Sequence, residues 1–279
     1  MNVVSVEKGG PTPPVPLFSV DSLNVCYGDN LVLKDISFNI NEGEFVAVIG
    51  HNGCGKSTLL KTLIGVKKYC SGRVLFYGED VFSLSGSSAK KFAKNFSWVG
   101  QGFDEKVSLT VFDFVFLGRF PHLSNFDLFR KDDDFKKVYN VLEVCGIDHI
   151  AQKKITEISG GELKLAQIAL ALVQNDGLLI LDEPVAYLDP AYAAKIMNLL
   201  VNLHCKGSTI IIVLHELNIA FEYCERILAL KNGNIIFDDV CDNLADAKKL
   251  KFLFDIDFGI TRNPSNGKPL VFIENKKPL

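Results

Sequence analysis

Nine consecutive residues combine the types needed to hold a phosphate: Gly50-His51-Asn52-Gly53-Cys54-Gly55-Lys56-Ser57-Thr58. Gly50, Gly53 and Gly55 allow a tight backbone turn whose successive N–H groups face an anion. Lys56 supplies a mobile positive charge, and the Ser57 hydroxyl can ligate a divalent cation. A second group follows an apolar run, Leu178-Leu179-Ile180-Leu181, which ends in Asp182-Glu183-Pro184. Adjacent acids at the end of a buried strand suit a metal–nucleotide site. Asp182 can hold the metal or its water, and Glu183 can orient or deprotonate an attacking water. His215 closes a third run, Thr209 to Leu214. A histidine there is either a satisfied structural residue or, on the same sheet edge as the acids, another functional group.

The flanking segments have to bring these groups together. An apolar run from Phe45 to Ile49 precedes the glycines, and Leu59-Leu60-Lys61-Thr62-Leu63-Ile64 beyond them has helical spacing. Strand, glycine loop and helix form the setting in which G-x-x-x-x-G-K-S binds a nucleotide, with the helix N-terminus aimed at the anion. Leu17 to Tyr27 and Leu31 to Ile40 read as a β-hairpin about Gly28-Asp29-Asn30. Tyr27 ends its first strand, where it can stack on a base or simply pack. Arg73 to Tyr77 and Phe96 to Gly100 read as further strands, with Gln101 leaving the second.

Residues 102–158 read as a mainly helical insertion between two strands of the sheet. Leu109, Phe112, Phe116 and Leu117 predict a helix that Pro121 stops. Asp132-Asp133-Asp134 opens another, through about Val144. Ser159-Gly160-Gly161-Glu162 has capping-box spacing before a long apolar helix, Leu163 to Val173. Leu188-Asp189-Pro190 leads into a helix from about Ala191 to His204. Asn232-Gly233 predicts a hairpin between Arg226–Lys231 and Asn234–Asp238, and the tail holds a short helix and a last strand near Leu270–Ile273.

At 279 residues, the chain suits one large domain with a subdomain, and it is too short for two copies of this architecture. A net charge of −3 argues against nucleic acid as the main partner. Seven scattered cysteines without a C-x-x-C pair predict reduced thiols rather than a disulfide frame or a zinc site. No apolar run approaches the roughly 18 residues that span a bilayer. Met1 to Pro16, with Gly9-Gly10-Pro11-Thr12-Pro13-Pro14, reads as an extended, poorly ordered leader. Cys54, beside Lys56 and a helix N-terminus, is expected to have a lowered pKa and to react readily.

The glycine loop, Gln101, Ser159-Gly160-Gly161-Glu162, Asp182-Glu183, Leu188-Asp189 and His215 stand in the order of the nucleotide-binding subunit of an ABC transporter, which the chain resembles from Leu17 to about Asp239. The resemblance implies an α/β fold with a P-loop NTPase core of ABC ATPase type, an antiparallel β subdomain and a helical subdomain at about residues 102–158. Residues 1–16 would be the leader, 17–239 the ATPase domain and 240–279 a C-terminal extension. It implies ATP and Mg²⁺ as ligands. Tyr27 looks like the adenine-stacking aromatic, and residues 50–58 like the phosphate cradle. Gln101, with Ser57 and Asp182, is similar to a Mg²⁺ contact. Glu183 resembles the catalytic glutamate and His215 the switch histidine. Ser159, Gly160, Gly161 and Glu162 look like the signature that meets ATP held by the opposite subunit, and Asp189 would line that interface. A homodimer is the simplest pairing, because this chain has a single phosphate loop.

Leu117-Gly118-Arg119-Phe120-Pro121-His122, His215-Glu216-Leu217-Asn218 and residues 263–271 look like the importer ATPases for ferric siderophores, haem and cobalamin. In those systems the ATPase pair sits at the cytoplasmic face of the inner membrane on two permease subunits, served by a substrate-binding protein. The segment Gln101 to His122 would receive the permease, or Arg119 to His122 is a plain surface turn. A zinc or manganese importer, or a soluble ABC ATPase, remains the alternative, whereas a P-loop kinase would lack residues 159–162 and His215. Leu163-Lys164-Leu165 and Ala169-Leu170-Ala171-Leu172 depart from the family's arginine-rich pattern and are expected to leave the catalytic set untouched.

Overall fold

Alternating apolar residues build the first sheet. β1 (Phe18–Tyr27) and β2 (Asn30–Ile40) pair antiparallel, from Phe18 opposite Ile40 to Tyr27 opposite Asn30. Val20, Leu23 and Val25 of one strand and Ile36, Phe38 and Ile40 of the other are buried, so one face of the hairpin is apolar. The computed structural model describes residues 15–101, 108–122 and 132–274, so all but two residues of the expected leader lie outside it.

The chain then enters β3 (Phe45–Gly50) and α1 (Lys56–Leu63) and returns to the first sheet with β4 (Ser71–Phe76) and β5 (Glu79–Asp80), giving the order β2-β1-β4-β5. The β1–β4 register sets Asn24 against Ser71. It thereby brings Cys26 to Cys70, joined by a disulfide with Cα atoms 6.1 Å apart. This corrects the expectation of seven reduced thiols. A helix that the sequence reading missed, α2 (Gly86–Lys94), packs Phe92 against Phe76 and Phe96.

β6 (Ser97–Val99) begins the far edge of the central sheet. Next come α3 (Val111–Phe116), capped by Thr110, whose Oγ1 accepts from the Asp113 amide, and a 3₁₀ turn from Leu117 to His122. Pro121 therefore lies inside the turn rather than ending the helix before it. Side chains hold that turn from outside. Arg119 donates to Asp134 Oδ1 at 2.7 Å and to the Val173 carbonyl at 3.2 Å, and His122 Nε2 donates to the Gln174 carbonyl at 2.7 Å. Of Arg119-Phe120-Pro121-His122, Phe120 alone is a large apolar residue turned to solvent. α4 (Asp132–Val144) and α5 (Gly160–Gln174) complete the helical layer.

The remaining strands are β7 (Leu178–Asp182), β8 (Thr209–Val213), β9 (Arg226–Lys231) and β10 (Asn234–Val240), with α6 (Pro190–Cys205) and α7 (Leu217–Tyr223) between them. The central order is β10-β9-β3-β8-β7-β6, parallel from β9 to β6. β10 closes the edge as an antiparallel hairpin. Its turn residues Asn232 and Gly233 both have positive φ, 53° and 86°, which match the twist of the strands.

Both faces of this sheet are covered, so its strands read as unbroken apolar runs. In β3, Phe45, Ala47 and Ile49 enter the core shared with the helical layer, whereas Val46 and Val48 enter the core shared with α1 and the antiparallel sheet. The tail forms α8 (Cys241–Leu244), α9 (Ala247–Phe254) and a hairpin of β11 (Phe258–Arg262) with β12 (Pro269–Ile273). The sequence reading expected one short helix and one strand. Among the described residues, no helix is long and apolar enough to cross a membrane.

Candidate nucleotide site

The parallel register aligns the carboxyl ends of the strands. Val48 of β3 is level with Val213 of β8, which is level with Asp182 of β7. Two residues further along their strands come Gly50 and His215, and one further comes Glu183. Ligands of open α/β sheets bind at this edge. Here it borders a cavity of about 360 Å³ lined by Lys56, Ser57, Thr58, Gln101, Glu183 and His215, with Asn52, Gly53, Gly55, Val32 and Tyr187.

The loop's backbone needs glycine at its first position. Gly50 has φ 145°, and a Cβ there would lie 2.2 Å from the Leu230 carbonyl oxygen. Lys56 is 5 % exposed. Its Nζ donates to the Gly50 carbonyl at 2.8 Å and the His51 carbonyl at 3.0 Å. Burial pulls the ammonium pKa down, against the raising influence of Cys54, Glu183 and Asp182. A polyphosphate beside it would supply the missing counter-charge. Ser57 Oγ donates to Asp182 Oδ1 at 3.1 Å. Asp182 is buried, and that burial raises its pKa despite the Ser57 hydrogen bond. Hydroxyl, carboxylate and the Gln101 amide form an all-oxygen donor set of the kind that hard divalent cations take.

Glu183 leaves β7 with φ 53°, a left-handed conformation that costs a non-glycine residue roughly 1–3 kcal/mol. It directs Oε1 at His215 Nε2, and the two share a short hydrogen bond. The acid, the histidine, the lysine and the hydroxyl thus share one cavity although they are separated by up to 159 residues in the sequence (Lys56 to His215).

Other expected residues lie elsewhere. Tyr27 stands half-exposed at the outer end of β1, with Lys67 Nζ 3.9 Å from its ring centroid, and the cavity takes Val32 from the same hairpin instead. His51 offers its carbonyl to Lys56 and turns its ring onto Phe254, centroids 5.2 Å apart. Cys54 is buried, and burial raises its pKa against the pull of Lys56. The expectation of a reactive, low-pKa thiol is therefore wrong, because loss of solvent outweighs the neighbouring charge.

Ser159, Gly160, Gly161 and Glu162 are outside the cavity lining. Ser159 and Glu162 form the reciprocal capping box of α5: Ser159 N and Oγ each donate to Glu162 Oε2 at 2.8 Å, which holds that carboxyl below its usual pKa. Ser159 and Gly160 are exposed, and among the described residues a Cβ on Gly160 would meet nothing within 4 Å beyond its chain neighbours and its own helix backbone. Gly161 is pressed on the Tyr192 ring, where a Cβ would come within 2.5 Å. Asp189 caps α6, accepting from the Ala191 and Tyr192 amides at 2.9 and 3.0 Å.

The sequence reading missed two residues. Tyr187, wholly exposed with φ 62°, lines the cavity. Its signal was an aromatic in the short loop between the paired acids and Asp189. Lys164, half-buried on α5, stands in the field of Asp182 and Glu183, which raise its pKa against the larger lowering by burial. Lys164, within the departure at Leu163-Lys164-Leu165, is thus in electrostatic range of Asp182 and Glu183.

A family model described as ABC transporter matches residues 33–186, more than half of the chain. The chain belongs to the ABC transporter family. The iron(3+)-hydroxamate import ATP-binding protein of Bacillus subtilis (strain 168) is 35% identical over 266 residues, 94% of this chain and 97% of that protein. The phosphonates import ATP-binding protein of Fusobacterium nucleatum subsp. nucleatum is 36% identical over 226 residues, 79% of this chain and 91% of that protein. Among solved structures, an inward-facing conformation of a putative metal-chelate type ABC transporter superposes with a TM-score of 0.80 at 26% identity, covering 94% of this chain and 98% of that one. As an ABC cassette the chain binds ATP and hydrolyses it.

The burial of Asp182 makes a pH-dependent cost visible. Its native pKa is raised, so the ionised form weighs against folding at neutral pH and the protonated form does not. Asp182→Asn should raise the thermal midpoint of the nucleotide-free protein at pH 7. The gain should shrink towards zero as the pH falls below about 4, the ordinary carboxylate range. Calorimetry across this range checks it, and a lower midpoint at pH 7 contradicts it.

Proposed function

We propose that the chain is the ATPase of a membrane importer, that it works as a head-to-tail homodimer, and that its cargo is an iron chelate (ferric siderophore or haem) or cobalamin. The observation that carries the proposal is the split of the expected ATP contacts. Lys56, Ser57, Gln101, Glu183 and His215 line one cavity, whereas the capped, exposed N-terminus of α5 at Ser159 and Gly160 lies outside it. A second chain, turned end for end, would lay its own Ser159 and Gly160 over this cavity. Asp189, Tyr187 and Glu162 would then border the contact. Dimeric cassettes exist among the structurally similar proteins.

The roles follow from the chemistry of each side chain. Lys56 and the N–H groups of residues 50–58 hold phosphate oxygens, and Tyr27, exposed beyond the cavity lining, would take the base on its ring once Lys67 moves aside. Ser57, Asp182 and Gln101 would hold Mg²⁺, which when bound neutralises phosphate charge. Glu183 accepts a proton from the attacking water, and His215, bonded to Glu183, meets the terminal phosphate. Opening and closing of the dimer would drive two permease subunits at the cytoplasmic face of the inner membrane, with a binding protein delivering cargo. The exposed Phe120 turn would contact the permease.

Cargo class rests on the likeness to the iron(3+)-hydroxamate relative over nearly the whole chain, together with residues 117–122, 215–218 and 263–271. The phosphonate relative, slightly more identical over a shorter stretch, supports a second reading.

Two measurements test the proposal. Glu183→Gln should slow ATP hydrolysis by roughly 10²–10⁴ while keeping ATP affinity, and should accumulate an ATP-bound dimer. An active variant would mean that another group is the base. In cells lacking the gene, uptake of labelled ferric siderophore, haem, cobalamin, zinc, manganese and phosphonate is compared after complementation with the parent or Lys56→Ala. A defect in one iron-chelate or cobalamin uptake, rescued only by the parent, is expected. Loss of phosphonate, zinc or manganese uptake alone would overturn the cargo assignment.

A further inference from the structure

Asn218 and residues 263–271, both noted in the sequence, have no place in the nucleotide cavity, yet the fold joins them. Asn218 lies three residues after His215, in the first turn of α7. Its Nδ2 donates to the Val271 carbonyl at 3.0 Å, and its Oδ1 accepts from the Val271 amide at 2.8 Å. One side-chain amide thus pairs with β12 as an adjacent strand would. Asparagine suits this task because its short amide presents a donor and an acceptor side by side.

α7 needs such an anchor. It has seven residues, too few to be stable alone, and its N-cap, Glu216, makes no side-chain capping bond. The far end of the helix is gripped by the same hairpin. Lys268 Nζ donates to the Glu222 carbonyl, and Asn266 Nδ2 donates to Glu222 Oε1 at 2.6 Å. The hairpin is itself pinned: Arg262 donates to Asp242 Oδ1 at 2.7 Å, and five residue pairs join β11 to β12. The turn carrying His215 therefore runs from β8 to a helix fixed by the C-terminal extension.

We propose that Asn218 is a positioning residue, clamping the His215 turn to Val271 so that the imidazole stays on Glu183. The inference rests on the reading of His215 as the γ-phosphate contact. In steady-state ATP hydrolysis by the purified full-length chain, Asn218→Ala should lower kcat about tenfold and leave the KM for ATP within about twofold. In a His215→Ala background the same substitution should cost nothing further, because the group it positions is gone. Should Asn218→Ala fail to fold, Asn218→Asp serves. Its carboxylate keeps the acceptor for the Val271 amide but sets an oxygen against the Val271 carbonyl, so it should also lose kcat, with the same dependence on His215. A normal kcat, or an equal loss in both backgrounds, overturns the role of Asn218 while a slow His215→Ala chain keeps the reading of His215. A His215→Ala chain as fast as the parent removes both.

Discussion

Parallel pairing of β7, β8 and β3 is the constraint on which the site depends. The row Val48–Val213–Asp182 fixes where three separate stretches of chain end. A slip of one residue in any pairing would move a residue at the cavity edge by about 3.3 Å and turn its side chain to the other face. Two cores hold the row against such slips. Odd-numbered residues of β3 are buried towards the helical layer and even-numbered ones towards α1 and the antiparallel sheet, so a one-residue slip would exchange the two sets between differently shaped cores.

That rigid edge is assembled at an electrostatic cost. Asp182 and Lys56 are both buried, and burial moves their pKa values towards neutrality from opposite sides. Glu183 adds a left-handed backbone at the strand end. Such groups are expensive in the protein alone. A bound phosphate with a divalent cation would relieve this placement, and the loop's backbone accepts it only because Gly50 lies against Leu230 without a Cβ.

The site was legible in the sequence where its signals were local. The glycine loop, the acids after Leu178–Leu181 and the Asn232-Gly233 turn each carry type and spacing within a few residues. The C-terminal hairpin was only half legible, because β11 is short and includes a glycine, and its pairing with β12 spans 7 to 15 residues of sequence. Pro121 stands inside a 3₁₀ turn because Arg119 and His122 reach across to Asp134 and the end of α5, which no local propensity encodes. Cys54 was misread for a similar reason: its neighbours in sequence suggest a low pKa, and burial, a tertiary property, reverses it. Lys164 and the Cys26–Cys70 bond also depend on packing between distant segments.

The central claim is that each ATP site is shared between two chains, Lys56 from one and Ser159 from the other. It is tested most directly by mixing two defective proteins, both carrying Glu183→Gln to stop turnover: one with Lys56→Ala, the other with Ser159→Arg. Each alone lacks half of both sites, while a mixed dimer contains one intact site. The account predicts that ATP produces dimers only in the mixture, each dimer retaining one ATP through gel filtration. ATP-dependent dimers of either variant alone, or none in the mixture, would contradict it.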